Sequence, residues 1–347
     1  MKEEVFSIEN SSKSFLWSIF LPQILSLVLV IVFSSFYKTL EELSGSILYL
    51  ITMMLVAQAG FAIIAGMFAK KHKLKPINLA KESFKKLSFR NIIICVLISV
   101  IAIAGLVNFV GIFDIIWAKI GYSVSGSYLP NSNFGWFILD VLLSCIIPAI
   151  MEEILFRGII FNGLKKLGFW FGAIISAVMF MLVHLSLGSL VYPIIMGIVF
   201  CLVYQKTQNI IYPIIIHFCN NFFVKLIEYF NVITSNNFGT IEMTAWWHFV
   251  LVIIGAIVAV TLIYFIIKYL IKNKQEIVIK NRANNLEENS KTEEIEEQEK
   301  QNINLKVEDL QADTDKILAK RRNNIYLYGS LAIGFVFWII MVVLSII

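Results

Sequence analysis

The chemistry in this chain lies in ionisable and amide side chains set inside long apolar runs. Such groups cost several kcal/mol in a lipid interior by estimates on the order of 2.5 kcal/mol and upward, so they are functional candidates. Glu152 and Glu153 are adjacent, and Arg157 follows one helical turn after Glu153. Glu153 and Arg157 share a helix face and can pair, which leaves Glu153 ionised and structural. Glu152 points about 100° away and suits a general base. Phe180 and His184 form a second one-turn pair, and His217 and Asn221 a third. A His and an Asn on one face can hold water, a metal or a developing oxyanion. Asn220 points elsewhere and reads as a packing or interhelical hydrogen-bonding residue. Taken singly, each group has a plainer reading: an ion cluster between helices, a hydrogen-bonded core histidine, a packed amide. Taken jointly, one Glu, two His and an Asn form a hydrolytic set.

The elements that must position them are membrane helices. Of 347 residues, 58% are hydrophobic and 15% charged, against about 25% charged in soluble domains. A mean hydropathy of +0.79 excludes a water-soluble surface. Nine runs are long enough to be spans, at about 15–36, 46–69, 91–113, 136–161, 168–187, 189–205, 208–230, 247–271 and 325–347. A segment in lipid must satisfy its own backbone, so these runs read as helices despite their Val and Ile. The net charge of +5 follows from basic residues beside the spans and argues against a nucleic-acid partner. Lys70, Lys71, Lys73, Lys75, Lys81, Lys85, Lys86 and Arg90 crowd one loop, while the alternate loops hold only Lys38 and Lys119. That asymmetry places the N-terminus in the cytoplasm. The first run shows no small-residue cleavage site and is expected to stay in the mature protein.

Residues 272–324 differ in kind. Glu287, Glu288, Glu293, Glu294, Glu296, Glu297 and Glu299 form an acidic block among nearly as many basic residues, which reads as a charged cytoplasmic linker, disordered or partly helical. The expected organisation is a transmembrane bundle over 1–271, this linker, and a C-terminal transmembrane helix over 325–347. The fold class is all-α and polytopic, a bundle of about eight to nine transmembrane helices. Abundant Ile, Asn, Lys and Phe suggest a low-GC bacterial source, and hence a plasma membrane. Cys95, Cys145, Cys201 and Cys219 all lie in apolar runs, read as small core residues. Gly168 and Gly172 read as a small-residue helix contact, Pro148 as a residue that opens its helix, and Asp140 as a capping or interfacial residue. Lys225 and Glu228 read as a pair or as snorkelling side chains.

Over about 136–230 the chain resembles the CAAX prenyl endopeptidase and bacteriocin-processing (CPBP, Abi) family of intramembrane proteases. The resemblance rests on EExxxR at Glu152, Glu153 and Arg157, FxxxH at Phe180 and His184, and HxxxN at His217 and Asn221, in that order. It implies a polar cavity inside the bilayer and an endopeptidase acting on membrane-associated or leader-peptide substrates. By the same resemblance Glu152 activates the water with His184 assisting, His217 and Asn221 stabilise the oxyanion, and Glu153, Arg157 and Phe180 support the site. Membrane lipid and a peptide or membrane-anchored protein are the implied partners.

A divalent metal such as zinc is left open, with Glu152, His184 and His217 as candidate ligands, although the HExxH spacing of a zinc helix is absent. The competing readings are a non-catalytic membrane protein, of the bacteriocin self-immunity kind, and a proton-coupled transporter using the buried Glu and His. One geometric tension is visible. By the α-helical rise, Glu152 and His217 lie about 20 and about 17 Å from the cytoplasmic ends of their helices, but His184 comes to about 27 Å.

Overall fold

A computed structural model describes residues 5–37, 39–122, 133–234, 245–271 and 305–345. All regular elements among them are helices: α1 (Ile8–Ser34), α2 (Ile47–Lys71), α3 (Pro76–Lys85), α4 (Phe89–Lys119), α5 (Phe134–Leu167), α6 (Phe169–Leu182), α7 (Tyr192–Thr207), α8 (Ile211–Thr234), α9 (Trp246–Phe265) and α10 (Leu305–Leu344), with a one-turn helix Leu40–Ser44 after α1. Starts are set locally. Ser7 Oγ accepts from Asn10 N at 3.1 Å and Asn133 Oδ1 from Trp136 N at 3.1 Å, each satisfying an N–H that the helix cannot. Pro76 and Pro193 stand in first turns, where a missing N–H costs nothing.

Among the described residues six helical segments are long and apolar enough to cross a membrane: α1, α2, α4, α5, Trp246–Tyr269 and Arg321–Leu344. The protein is a polytopic α-helical membrane protein. The expected fifth and sixth spans are of another kind. α6 and α7 have 14 and 16 residues, short of the roughly 20 that a full crossing takes. Helix is replaced over 183–191 by a turn, where Leu185 adopts a left-handed conformation at φ 51°. The 24-residue α8 carries His217, Asn220, Asn221, Lys225 and Glu228 along a mostly apolar helix. α10 begins at Leu305, inside the expected linker; the acidic block at 287–299 lies outside the described residues.

Water does not drive helices together in lipid, so close packing has to, and small residues permit it. A Cβ at Gly60 would lie 2.8 Å from Pro22 Cγ, joining α2 to α1; one at Gly334 would lie 2.8 Å from Phe15, joining α10 to α1. Gly105 lies against Ala259, joining α4 to α9. The expected Gly168–Gly172 contact divides into two roles. Gly168 supplies a backbone at φ +105°, which L side chains resist. Gly172 brings α6 within 2.7 Å of the Lys165 backbone, as a Cβ there would meet it. The four cysteines are buried and unpaired.

α5 lies at the centre, against α1, α2, α6, α7 and α8. It is irregular: wide π-helical turns at Val141–Ile146 and Ile154–Phe161 flank an α-helical segment, Ile147–Glu153. Pro148, in that segment, has no N–H to give a carbonyl one turn back, and π turns absorb such register breaks. At the far end α1 holds α5: Ser11 Oγ donates to Ile160 O at 2.9 Å, and a Cβ on Gly163 would run into Ser11 and Ser7.

Candidate active site

The α-helical segment between the two π turns ends in Glu152 and Glu153, and both side chains are buried. Glu153 and Arg157 are 0% exposed, and Arg157 NH1 donates to Glu153 Oε1 at 2.8 Å. Arg157 NH2 donates to Gly197 O on α7 at 3.2 Å, and its guanidinium lies 4.6 and 4.8 Å from the ring centres of Phe180 and Phe200. Gly197 is where α7 meets α6, since a Cβ there would be 2.8 Å from that of Ala177. The expected Glu153–Arg157 pair is therefore present, held by a backbone carbonyl and two aromatic faces.

His217, 6% exposed, reaches across from α8. Its Nδ1 lies 2.9 Å from Glu153 Oε1. With Glu153 the ionised partner of Arg157, Nδ1–H is the donor, so Nε2 faces away from Glu153 and toward Glu152. Nε2 lies 3.9 Å from Glu152 Oε2, too long for a direct hydrogen bond and a separation that a water can bridge. Phe200 stacks on the imidazole at 5.2 Å, fixing its plane. The two adjacent carboxylates thus have different surroundings. Glu153 is tied to a cation and orients His217; Glu152 is not tied to Arg157 and confronts the outer nitrogen of His217.

Asn221, one turn beyond His217, donates through Nδ2 to Ser144 O at 3.1 Å. Ser144 lies in the π turn that runs into Pro148. Of the two roles expected for Asn220, packing or an interhelical hydrogen bond, the structure shows packing. It is buried, with neither amide atom hydrogen-bonded.

His184 is placed apart. It stands on the turn after α6, exposed, and its Nδ1 donates to Phe180 O at 2.7 Å, which leaves Nε2 as the nitrogen turned away from that carbonyl. It makes no hydrogen bond to Glu152 or His217. Phe180 stands between, with its ring centre 4.9 Å from that of His184 and 5.9 Å from that of His217.

The donor set does not fit a bound metal in this geometry. Among the described residues no three His, Cys, Asp or Glu side chains converge to hold one, and His184 is not hydrogen-bonded with the Glu152–His217 pair.

Three sets of residues escaped the motif reading. Gln58 on α2 donates through Nε2 to Glu152 Oε1 at 3.1 Å. It is the one amide in the apolar stretch from Ile47 to Ala69, and a lone polar group in a span was signal enough. Tyr122, after α4, holds the His184 turn: its hydroxyl pairs with Ser186 Oγ at 2.8 Å and accepts from Leu187 N at 3.2 Å. Asp140 is buried and not a cap. It accepts from Ser144 Oγ at 2.5 Å and faces Lys225 at 3.4 Å, and Lys225 pairs with Glu228 at 2.9 Å.

Residues 134–223 match the family model described as type II CAAX prenyl endopeptidase Rce1-like. Every residue of the Glu152–Arg157, Phe180–His184 and His217–Asn221 motifs falls inside it. This core is similar to the Rce1-like CAAX endopeptidases. The chain is also similar to a Bacillus subtilis (strain 168) protein whose name reads "Putative membrane peptidase YdiL", 44% identical over 54 residues, 15% of this chain. The chain spans about a fifth of the length of that curated relative, 22%. No solved structure matches. Gln58 and Tyr122 lie outside the Rce1-like core.

Proposed function

We propose that this protein is a membrane-embedded endopeptidase in which Glu152 activates a water for attack on a peptide carbonyl. The water sits between Glu152 Oε2 and His217 Nε2. Its oxygen bonds to the carbonyl carbon as one proton passes to Glu152. The resulting oxyanion is held by His217, donating from Nε2 when protonated there, and by the second N–H of the Asn221 amide. Collapse of the tetrahedral intermediate breaks the C–N bond, and Glu152 returns its proton to the leaving amine. His184 Nε2 receives the water or the substrate from the turn side.

The observation that carries this reading is the division of labour between the two carboxylates. A structural ion cluster needs Glu153, Arg157 and His217 only. Glu152, buried beside the outer nitrogen of an oriented His217, is surplus to it. The family of the core and the name of the YdiL relative support the same chemistry. The substrate is a leader peptide or a membrane-anchored protein whose scissile segment enters the bundle within the bilayer.

The test compares protein termini in cells making the protein with cells making Glu152→Ala at equal level. New termini present with the first and missing with the second are expected. Identical termini in both sink the proposal.

A further inference from the structure

Gln58 lies outside every motif that marks the site, on a helix that the Rce1-like match does not reach. Its Nε2 nevertheless meets Glu152 Oε1 at 3.1 Å. An ionised carboxylate only accepts, so the amide nitrogen is the atom that faces it. We infer that Gln58 is a positioning residue for Glu152: by occupying Oε1 it leaves Oε2 as the one oxygen presented to His217 Nε2 and to the attacking water. This inference rests on the peptidase reading.

Three observations carry it. The first is how α2 is held. Gly60, two residues on, presses against Pro22 of α1, and Phe61, three residues on, meets Phe156 edge-on at 6.5 Å. Gln58 and Phe61 lie on one face of α2 and meet α5 at Glu152 and Phe156, one turn apart there. Within one turn of the amide α2 is thus held against both α1 and α5, which sets where Gln58 meets the carboxylate.

The second is the half-satisfied amide. Gln58 Oε1 is buried and makes no hydrogen bond. A glutamine kept for helix–helix adhesion would use both ends, because an unpaired buried acceptor costs about 1–3 kcal/mol. Gln58 uses only the end that meets Glu152. The third is the asymmetry of the carboxylate pair. Glu153 is oriented by Arg157 and His217 together, but Glu152 has no cation at hydrogen-bond distance. Without Gln58 its two oxygens would exchange freely about the terminal torsion, which is broad and two-fold.

The experiment uses the full-length protein in proteoliposomes and a synthetic peptide spanning the junction found by comparing termini. Gln58→Met keeps the shape and loses the donor; Gln58→Leu replaces it if the Met variant does not accumulate. Gln58→Glu keeps the shape and sets a second acceptor against Glu152. Losing a hydrogen bond to a charged group predicts kcat down about 10- to 100-fold, with KM within about twofold and the thermal midpoint unchanged. Gln58→Glu falls below Gln58→Met. A packing role predicts instead that the apolar Met or Leu variants match the parent in kcat, and that outcome overturns the inference while Glu152-dependent cleavage still stands. If the parent makes no Glu152-dependent termini at all, the peptidase reading fails first and this inference falls with it.

Discussion

Asn221 donates to the carbonyl of Ser144 across the α5–α8 interface at 3.1 Å, in the π turn that runs into Pro148. Pro148→Ala adds an N–H in the turn after Ser144 and offers that stretch of carbonyls a further donor. Removing proline from a helix interior favours the helix by up to about 3 kcal/mol, so the thermal midpoint should rise. With Asn221 less firmly held, kcat should fall several-fold. A more stable variant with undiminished kcat would show that Asn221 needs no such anchor.

Glu152→Gln should lower kcat by about 100- to 10,000-fold, the range for loss of a general base, with KM and thermal midpoint close to those of the parent. The change keeps the volume and an acceptor for Gln58 Nε2 while removing the proton acceptor. Steady-state cleavage of the junction peptide measures it. A tenfold or smaller loss would move the base to another residue.

Arg157→Met should be a folding defect before it is a catalytic one. It leaves the Glu153 carboxylate buried with His217 alone, and breaking one side of a buried pair costs about 3–5 kcal/mol. Adding Glu153→Gln removes the stranded charge and should recover part of the loss in midpoint. Recovery of stability without recovery of activity is expected, because His217 then loses its carboxylate. Equal stability of the single and double variants would argue against the pairing.

The legible and illegible parts of this site divide along physical lines. Glu152, Glu153, Arg157, His217 and Asn221 were readable because charge and amide groups stand out in apolar helices, and one-turn spacing settles which share a face. The pairing of Glu153 with Arg157 followed from that spacing alone. The breaks were harder. Residues 183–191 contain Leu185, Leu187 and Leu190, which hydropathy joins to the flanking helices, and a left-handed leucine has no sequence signature. The π turns of α5 likewise leave no periodic trace over six to eight residues. Asp140 sat near an apolar run's edge and read as a capping or interfacial residue, because its partner Lys225 is distant in sequence. Gln58 was visible as a lone amide, but its partner was fixed only by how α2 packs on α5.

Tyr122→Phe tests the turn that carries His184. The hydroxyl holds Ser186 and Leu187 together, beside a leucine in a conformation that β-carbon sterics disfavour. Its removal leaves the Leu187 N–H without this acceptor, at about 1–3 kcal/mol. The cost should appear locally, as faster amide hydrogen exchange over 183–191 with α5 and α8 unchanged. Cleavage should slow in parallel if His184 receives water or substrate. Faster exchange with full activity would remove His184 from the reaction.

The C-terminal helix is the last element to be tested, and two of its contacts with α1 differ in kind. Arg322 meets Glu9 at 3.4 Å, with side chains 60% and 17% exposed; Gly334 lies against Phe15 and Ile19 in the apolar interior. Partly exposed ion pairs contribute under about 1 kcal/mol, so Arg322→Ala should leave the thermal midpoint nearly unmoved. Gly334→Leu forces a side chain into space already filled by Phe15, and overpacking of that kind costs about 1–3 kcal/mol. Because α1 also grips α5 through Ser11 and Ile160, a displaced α10 should be felt at the site, as a fall in kcat that accompanies the loss of midpoint. A Gly334→Leu variant with lowered midpoint and unchanged kcat would show that α10 braces the bundle without reaching Glu152.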